Sequence, residues 1–130
     1  YVEVNDLNAG NVFAYRTVVA AYTEGEEWLT QMLAYVEANV SYLVNYIQTR
    51  IPQLKPIVPQ ASYLVFIDFS ALGLTQAQIK DLCVDKAHLA LNDGTIYGEE
   101  GKGFMRINLA CPRSVVQQAL QQLEEALNKQ

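Results

Sequence analysis

The stretch "GKGFMRINLACPRS", residues 101–114, decides how this chain is read. A strand turns successive side chains to opposite faces. At that period Met105, Ile107, Leu109 and Cys111 fall on one side, and Phe104, Arg106, Asn108 and Ala110 on the other. The first set predicts a face buried in a core. The second places an arginine mid-strand with an asparagine two residues on, and by residue type alone that is a solvated sheet face. Pro112-Arg113-Ser114 then opens a last helix with Val115, Val116, Ala119, Leu120, Leu123, Ala126 and Leu127 on one side.

Working upstream, Asn92-Asp93-Gly94 and Tyr97-Gly98 are turn signals. "HLALN" (88–92) reads as a short strand and "SYLVFIDF" (62–69) as a longer apolar one. Between them, Thr75 and Gln78 make a capping box that predicts a helix to about Val84. Pro52, Pro56 and Pro59 mark a turn-rich connection. Before it, an apolar stripe from Trp28 through Met32, Val36, Val40, Leu43 and Ile47 to Ile51 predicts a long helix, with Thr23 as N-cap and Glu26 closing a second capping box. Some 25 residues make a rod of roughly 37 Å. Val12, Tyr15, Val18, Val19 and Tyr22 predict another helix over 11–23. The fold class is α+β: a small mixed or antiparallel sheet covered on one side by helices and preceded by a long N-terminal helix. The expected organisation is a helical segment over 1–52 and an α/β domain over 53–130.

Composition limits function more than it assigns it. With 130 residues, 51% hydrophobic and 18% charged, the chain has room for one core, and such a chain buries roughly two-thirds of its unfolded surface. The net charge of −5 and scattered basic residues predict no nucleic-acid partner. No apolar run approaches the roughly 20 residues of a membrane span, so no membrane partner is expected. Cys83 and Cys111 lack metal-ligand spacing, and the expected location is a reducing, cytoplasmic one. His88 has no partner motif and reads as structural. The tyrosines at 15, 22, 35, 42 and 46 read as core or interface, and Glu24, Glu26 and Glu27 as acids favoured at a helix start. No phosphate loop, dinucleotide fingerprint, nucleophile elbow or zinc-protease motif occurs.

Residue identities around Arg106 go further. Gly94-x-x-Tyr97-Gly98, Phe104-x-Arg106-x-Asn108 and Cys111-Pro112-Arg113-Ser114 resemble the C-terminal part of fold-type I pyridoxal-phosphate enzymes. Within them the chain is most similar to the MalY/PatB cystathionine β-lyase-like C–S lyases of the class I/II aminotransferase family. "NVFAYRTVVAAYTEGEEWL" (11–29) and "SYLVFIDFSALGL" (62–74) extend the resemblance over nearly the whole chain.

That resemblance implies the small domain of this fold, with residues 1–52 leading to a large cofactor-binding domain N-terminal to Tyr1. It implies that Arg106 binds the α-carboxylate of an amino-acid substrate, and a planar, always charged guanidinium suits that task. Arg113 is expected to be structural, pairing near the start of the last helix. No catalytic, cofactor-binding or metal-binding residue is expected here. The lysines at 55, 80, 86, 102 and 129 lie outside any Schiff-base motif, so pyridoxal phosphate would be held by the large domain and the chain alone would be inactive. The implied activity is β-elimination at a C–S bond, with a transaminase of the same fold and a non-catalytic interaction module as alternatives. The implied partners are the chain's own large domain and a second copy in a homodimer. Ala61 stands where relatives usually have glycine before Ser62-Tyr63, which predicts a locally different backbone or pocket.

Overall fold

A computed structural model describes residues 11–129. Residues 1–10, the start of the expected helical segment, lie outside them. The chain groups into two compact units that divide between Tyr35 and Val36.

In the first unit, α1 (Val12–Glu24) is capped by Asn11, whose side chain accepts a hydrogen bond from the Ala14 N–H at 2.9 Å. It buries none of its residues. Thr23 is not the N-cap expected from the sequence. It lies within α1, and its hydroxyl donates to the Val19 carbonyl at 2.9 Å. The break comes at Gly25, which donates to Ala21 O at 3.1 Å while its own carbonyl accepts from Leu29 N at 2.9 Å. A Cβ on Gly25 would collide with the Ala21 carbonyl oxygen, so glycine there lets one helix follow the other without a spacer. The next helix, α2, runs over Glu26–Arg50 and stops where Pro52 removes the next usable donor.

The second unit takes the remainder of α2 and builds a core on it. Val36, Leu43 and Ile47 are buried along one side of the helix, as is the polar Asn39. Three further segments complete the sheet around "SYLVFIDF". β1 (Lys55–Ile57), β2 (Leu64–Asp68), β3 (Asn92–Asp93) and β4 (Phe104–Asn108) form one antiparallel sheet in the order β1-β2-β4-β3. Val65 and Ile67 pair with Ile107 and Met105, and all four are buried. α3 (Gln76–Asp81) and α4 (Arg113–Asn128) add Ile79, Val116, Leu120 and Leu123 to the same cluster. Each such side chain contributes about 1.5–3 kcal/mol by leaving water. The alternation expected from residue 104 holds as far as Leu109: Met105, Ile107 and Leu109 are buried, while Arg106 and Asn108 stand on the opposite face; Cys111, beyond the end of β4, is only half-buried.

The strand expected over 88–92 is reduced to Asn92–Asp93. A π-helical turn over Leu82–Lys86 carries the chain past Val84, and His88 then takes a left-handed φ of 55°. Leu89 N bonds back to Cys83 O at 2.7 Å, leaving no extended backbone to pair. Conversely, the proline-marked connection contains β1. Pro56 has no N–H to give, and an edge strand tolerates that. The capping box at Thr75–Gln78 forms as expected, whereas Val115 is half exposed and lies off the buried stripe of α4. Near Ala61, the left-handed residue is Ser62, with φ 72°.

Candidate functional site

β4 fixes Arg106 on the sheet face that the helices leave open. The register sets Arg106 opposite Phe66 of β2 on one side and Asn92 of β3 on the other. Its guanidinium carbon lies 4.7 Å from the centre of the Tyr97 ring. That ring meets Phe66 edge-on, with centroids 5.6 Å apart and planes at 89°, and Phe66 meets Phe104 likewise at 6.5 Å and 80°. The result is a cation beside an aromatic floor. A shallow pocket of about 310 Å³ lies on this face, lined by Ile57, Phe66, Tyr97, Glu100, Gly101 and Phe104. A half-buried arginine edged by rings attracts a carboxylate more strongly than one in bulk water, because fewer waters screen it.

The loop that presents Tyr97 is built with care at each end. Asp93 accepts from the Thr95 N–H at 2.9 Å, the Thr95 hydroxyl at 2.7 Å and the Gln76 amide at 2.8 Å. The Thr95 hydroxyl and N–H hold the Asp93 carboxyl below its ordinary range, with Gln76 and Lys80 adding to the effect. Gln76 also accepts from Gly103 N at 2.8 Å, so one side chain of α3 closes the loop at both ends. Inside it, Gly94 and Gly101 touch backbone to backbone, and a Cβ on either would overlap the other's carbonyl oxygen. Gly98 has φ 127° and ψ 175°, a region open essentially to glycine alone. This explains Gly94-x-x-Tyr97-Gly98 in physical terms.

Asn108 shares the Arg106 face, but its side chain turns onto the backbone, accepting from Ala110 N at 2.8 Å. It ends the strand. Arg113 donates from Nε to Asn39 Oδ1 at 2.6 Å, and its guanidinium carbon lies over the Tyr42 ring, 4.8 Å from its centre. Asn39 in turn donates to the carbonyls of Leu109 and Cys111, each at 2.9 Å. One acceptor of Arg113 is thus a side-chain amide carbonyl on α2. The motifs and spacings of the sequence do not point to Asn39, although a lone asparagine inside an apolar helical stripe is the signal that could find it. Asn39→Ala should destabilise the chain by about 2 kcal/mol, since it takes the donor from the buried Leu109 carbonyl and the part-buried Cys111 carbonyl. The shift of the urea midpoint checks this. Elsewhere, Tyr46 donates to Glu124 at 2.5 Å and Arg50 pairs with it at 2.9 Å. Burial and that hydrogen bond push the Tyr46 hydroxyl up to about 12, whereas Tyr46 and Arg50 hold the Glu124 carboxyl below its ordinary range.

Burial pushes the Cys83 thiol up to about 12, which leaves it protonated and unreactive at neutral pH. Among the described residues no group of three or more His, Cys, Asp or Glu could hold a metal, and no helix is long and apolar enough to cross a membrane. All five lysines are exposed.

No family model matches the chain, but individual proteins do. It is 37% identical over 124 residues to cystathionine β-lyase PatB of Bacillus subtilis, covering 95% of this chain and 32% of PatB. It is 31% identical over 121 residues to protein MalY of Escherichia coli, covering 93% of this chain and 31% of MalY. Cystalysin of Treponema denticola, solved with pyridoxal 5'-phosphate, superposes with a TM-score of 0.91 at 29% identity over 98% of this chain and 33% of cystalysin. Aspartate aminotransferases match at lower identity. The chain spans about a third of the length of these relatives. In sequence and in fold it is related to the MalY/PatB group of cystathionine β-lyase-like proteins, and it has the fold of one third of a fold-type I pyridoxal-phosphate enzyme.

Proposed function

We propose that the chain is the substrate-carboxylate-binding part of a pyridoxal-phosphate-dependent enzyme acting on amino acids, and that the reaction is β-elimination at a C–S bond. The observation that carries this is Arg106, held mid-strand on the open face of the sheet with its guanidinium beside Tyr97. Its fork of N–H donors matches the two oxygens of an α-carboxylate, and a strand gives it a fixed origin. The described residues do not fit pyridoxal phosphate by themselves. Their lysines are all exposed, whereas a Schiff-base lysine works desolvated in a closed site. The cofactor then falls to the other two-thirds of the parent enzyme, which this chain would meet as its large domain.

The identity to PatB and MalY favours the lyase. In that reaction the Cβ–S bond breaks, the sulfur leaves as a thiol, and water completes the release of ammonia and a keto acid. The test is pyruvate formation from L-cystathionine by the complete enzyme with no keto-acid acceptor present. Steady acceptor-free turnover is the expected result; a strict need for an acceptor would make the enzyme an aminotransferase, the reading that the lower-identity matches support. We place the parent in the reducing cytoplasm, in keeping with the free thiols of Cys83 and Cys111.

A second copy of the chain is the further partner we propose. Phe13 and Tyr22 on α1 and Trp28 at the start of α2 are 80%, 90% and 69% exposed, large apolar side chains of the kind that a partner covers. The isolated chain should therefore self-associate with rising concentration in light scattering. Phe13→Lys together with Trp28→Lys should shift it towards monomer, and a wild-type chain monomeric at all concentrations would count against the dimer.

A further inference from the structure

We infer that Tyr97 is a positioning residue for Arg106: its ring face sets the plane of the guanidinium, and through that plane the direction in which the carboxylate is gripped. This rests on the reading of Arg106 as the carboxylate ligand. The guanidinium carbon lies over the Tyr97 ring, 4.7 Å from its centre, and a guanidinium set flat against that ring gives up one of its faces to it. Stacking of this kind uses none of the in-plane N–H groups. The five donors remain at the edge, where a two-oxygen acceptor can meet two of them in parallel.

An arginine on a bare sheet face would rotate about its long stem, and each productive grip would require ordering it anew. Tyr97 removes that freedom only if Tyr97 itself is fixed. It is fixed twice. Phe66, the cross-strand neighbour of Arg106, meets the ring edge-on at 5.6 Å. The loop beneath it is closed by Asp93, by Gln76 and by the backbone contact of Gly94 with Gly101. Together these contacts hold residues 94–101 in one conformation beside the strand.

The test uses the complete, pyridoxal-phosphate-loaded enzyme and reads competitive inhibition by L-alanine and by ethylamine, the same amine without its carboxylate. Tyr97→Leu should weaken inhibition by L-alanine about five- to twentyfold and leave that by ethylamine within about twofold. Tyr97→Phe, which keeps the ring face, should recover most of the loss. Phe66→Leu, which loosens the ring from the far side, should act in the same selective sense but less strongly, and it carries the test if Tyr97→Leu is insoluble. Added to Arg106→Ala, Tyr97→Leu should cost nothing further. If Tyr97→Leu weakens both inhibitors alike, or adds its full effect to Arg106→Ala, the positioning role is overturned. If Arg106→Ala itself leaves inhibition by L-alanine unchanged, the carboxylate reading has failed instead.

Discussion

Arg106→Ala in the complete enzyme should lower kcat/KM for α-amino acid substrates by roughly 30-fold to several thousand-fold. The magnitude follows from leaving a substrate carboxylate without its charged partner beside a half-buried, ring-edged site, at a cost of about 2–5 kcal/mol. Cofactor binding should be untouched, because Arg106 is proposed to meet the substrate carboxylate and not the cofactor, and the absorbance of the loaded enzyme checks that point. Arg106→Lys should restore only part of the loss, since an ammonium cannot make two parallel hydrogen bonds. Amines without the carboxylate should be far less affected by either change. A uniform loss on acids and amines alike would mean that Arg106 supports the sheet and does not touch substrate. The structure is already unfavourable to that outcome: the side chain faces away from the core, and among the described residues no carboxylate closes an ion pair with it.

Gly101→Ala should be the most damaging small substitution in the loop, destabilising the chain by about 3 kcal/mol. The added methyl would run into the Gly94 carbonyl, and both partners are backbone, so no side chain can swing aside. Gly94→Ala meets the carbonyls of Gly101 and Phe104 and should behave similarly. Gly73 is the control. It has φ 66° but nothing within 4 Å of the place a Cβ would occupy, so Gly73→Ala should cost only about 1 kcal/mol for the left-handed backbone. Urea denaturation of the three variants separates steric collision from backbone preference. Equal losses at positions 73 and 101 would show that the Gly94–Gly101 contact is not made in solution.

Much of the fold can be read from residue order because some segments obey one rule at a time. Residues 104–109 alternate without interruption, and the alternation survives burial because helices cover only one face of β4. Thr75 and Gln78 satisfy each other locally, so their capping box needs no tertiary context. Sequence and structure part where two rules compete. Thr23 and Glu26 match a capping box, but Gly25 lets α1 continue to Glu24 and moves the break two residues along. "HLALN" has strand composition, yet the π turn and the left-handed His88 consume its backbone donors locally. Pro56 hides an edge strand because proline reads as a turn until a neighbour is known.

The site shows the same division. Arg106 and its face follow from alternation, and its proposed role follows from resemblance. Tyr97 is visible as part of a matched motif, but nothing in residue order places a ring nine positions upstream against the guanidinium. That proximity depends on Gly94 meeting Gly101 and on Gln76, from a different element, reaching both ends of the loop. Asn39 needs the third dimension too, because the carbonyls it satisfies lie some 70 residues away.

The single tryptophan gives the first unit a built-in optical label. Trp28 is the chain's one indole, and at 69% exposure it stands in water, so its fluorescence lies towards the red. The core of the second unit contains no indole, and its unfolding is dark in that channel. Emission at tryptophan wavelengths therefore follows what covers the surface of α2's first turns, while circular dichroism follows the fold as a whole. A partner covering Trp28, such as the large domain or second copy proposed above, would register as a blue shift with no change in helicity, which lets assembly and folding be titrated separately in one cuvette without a dye or a tag.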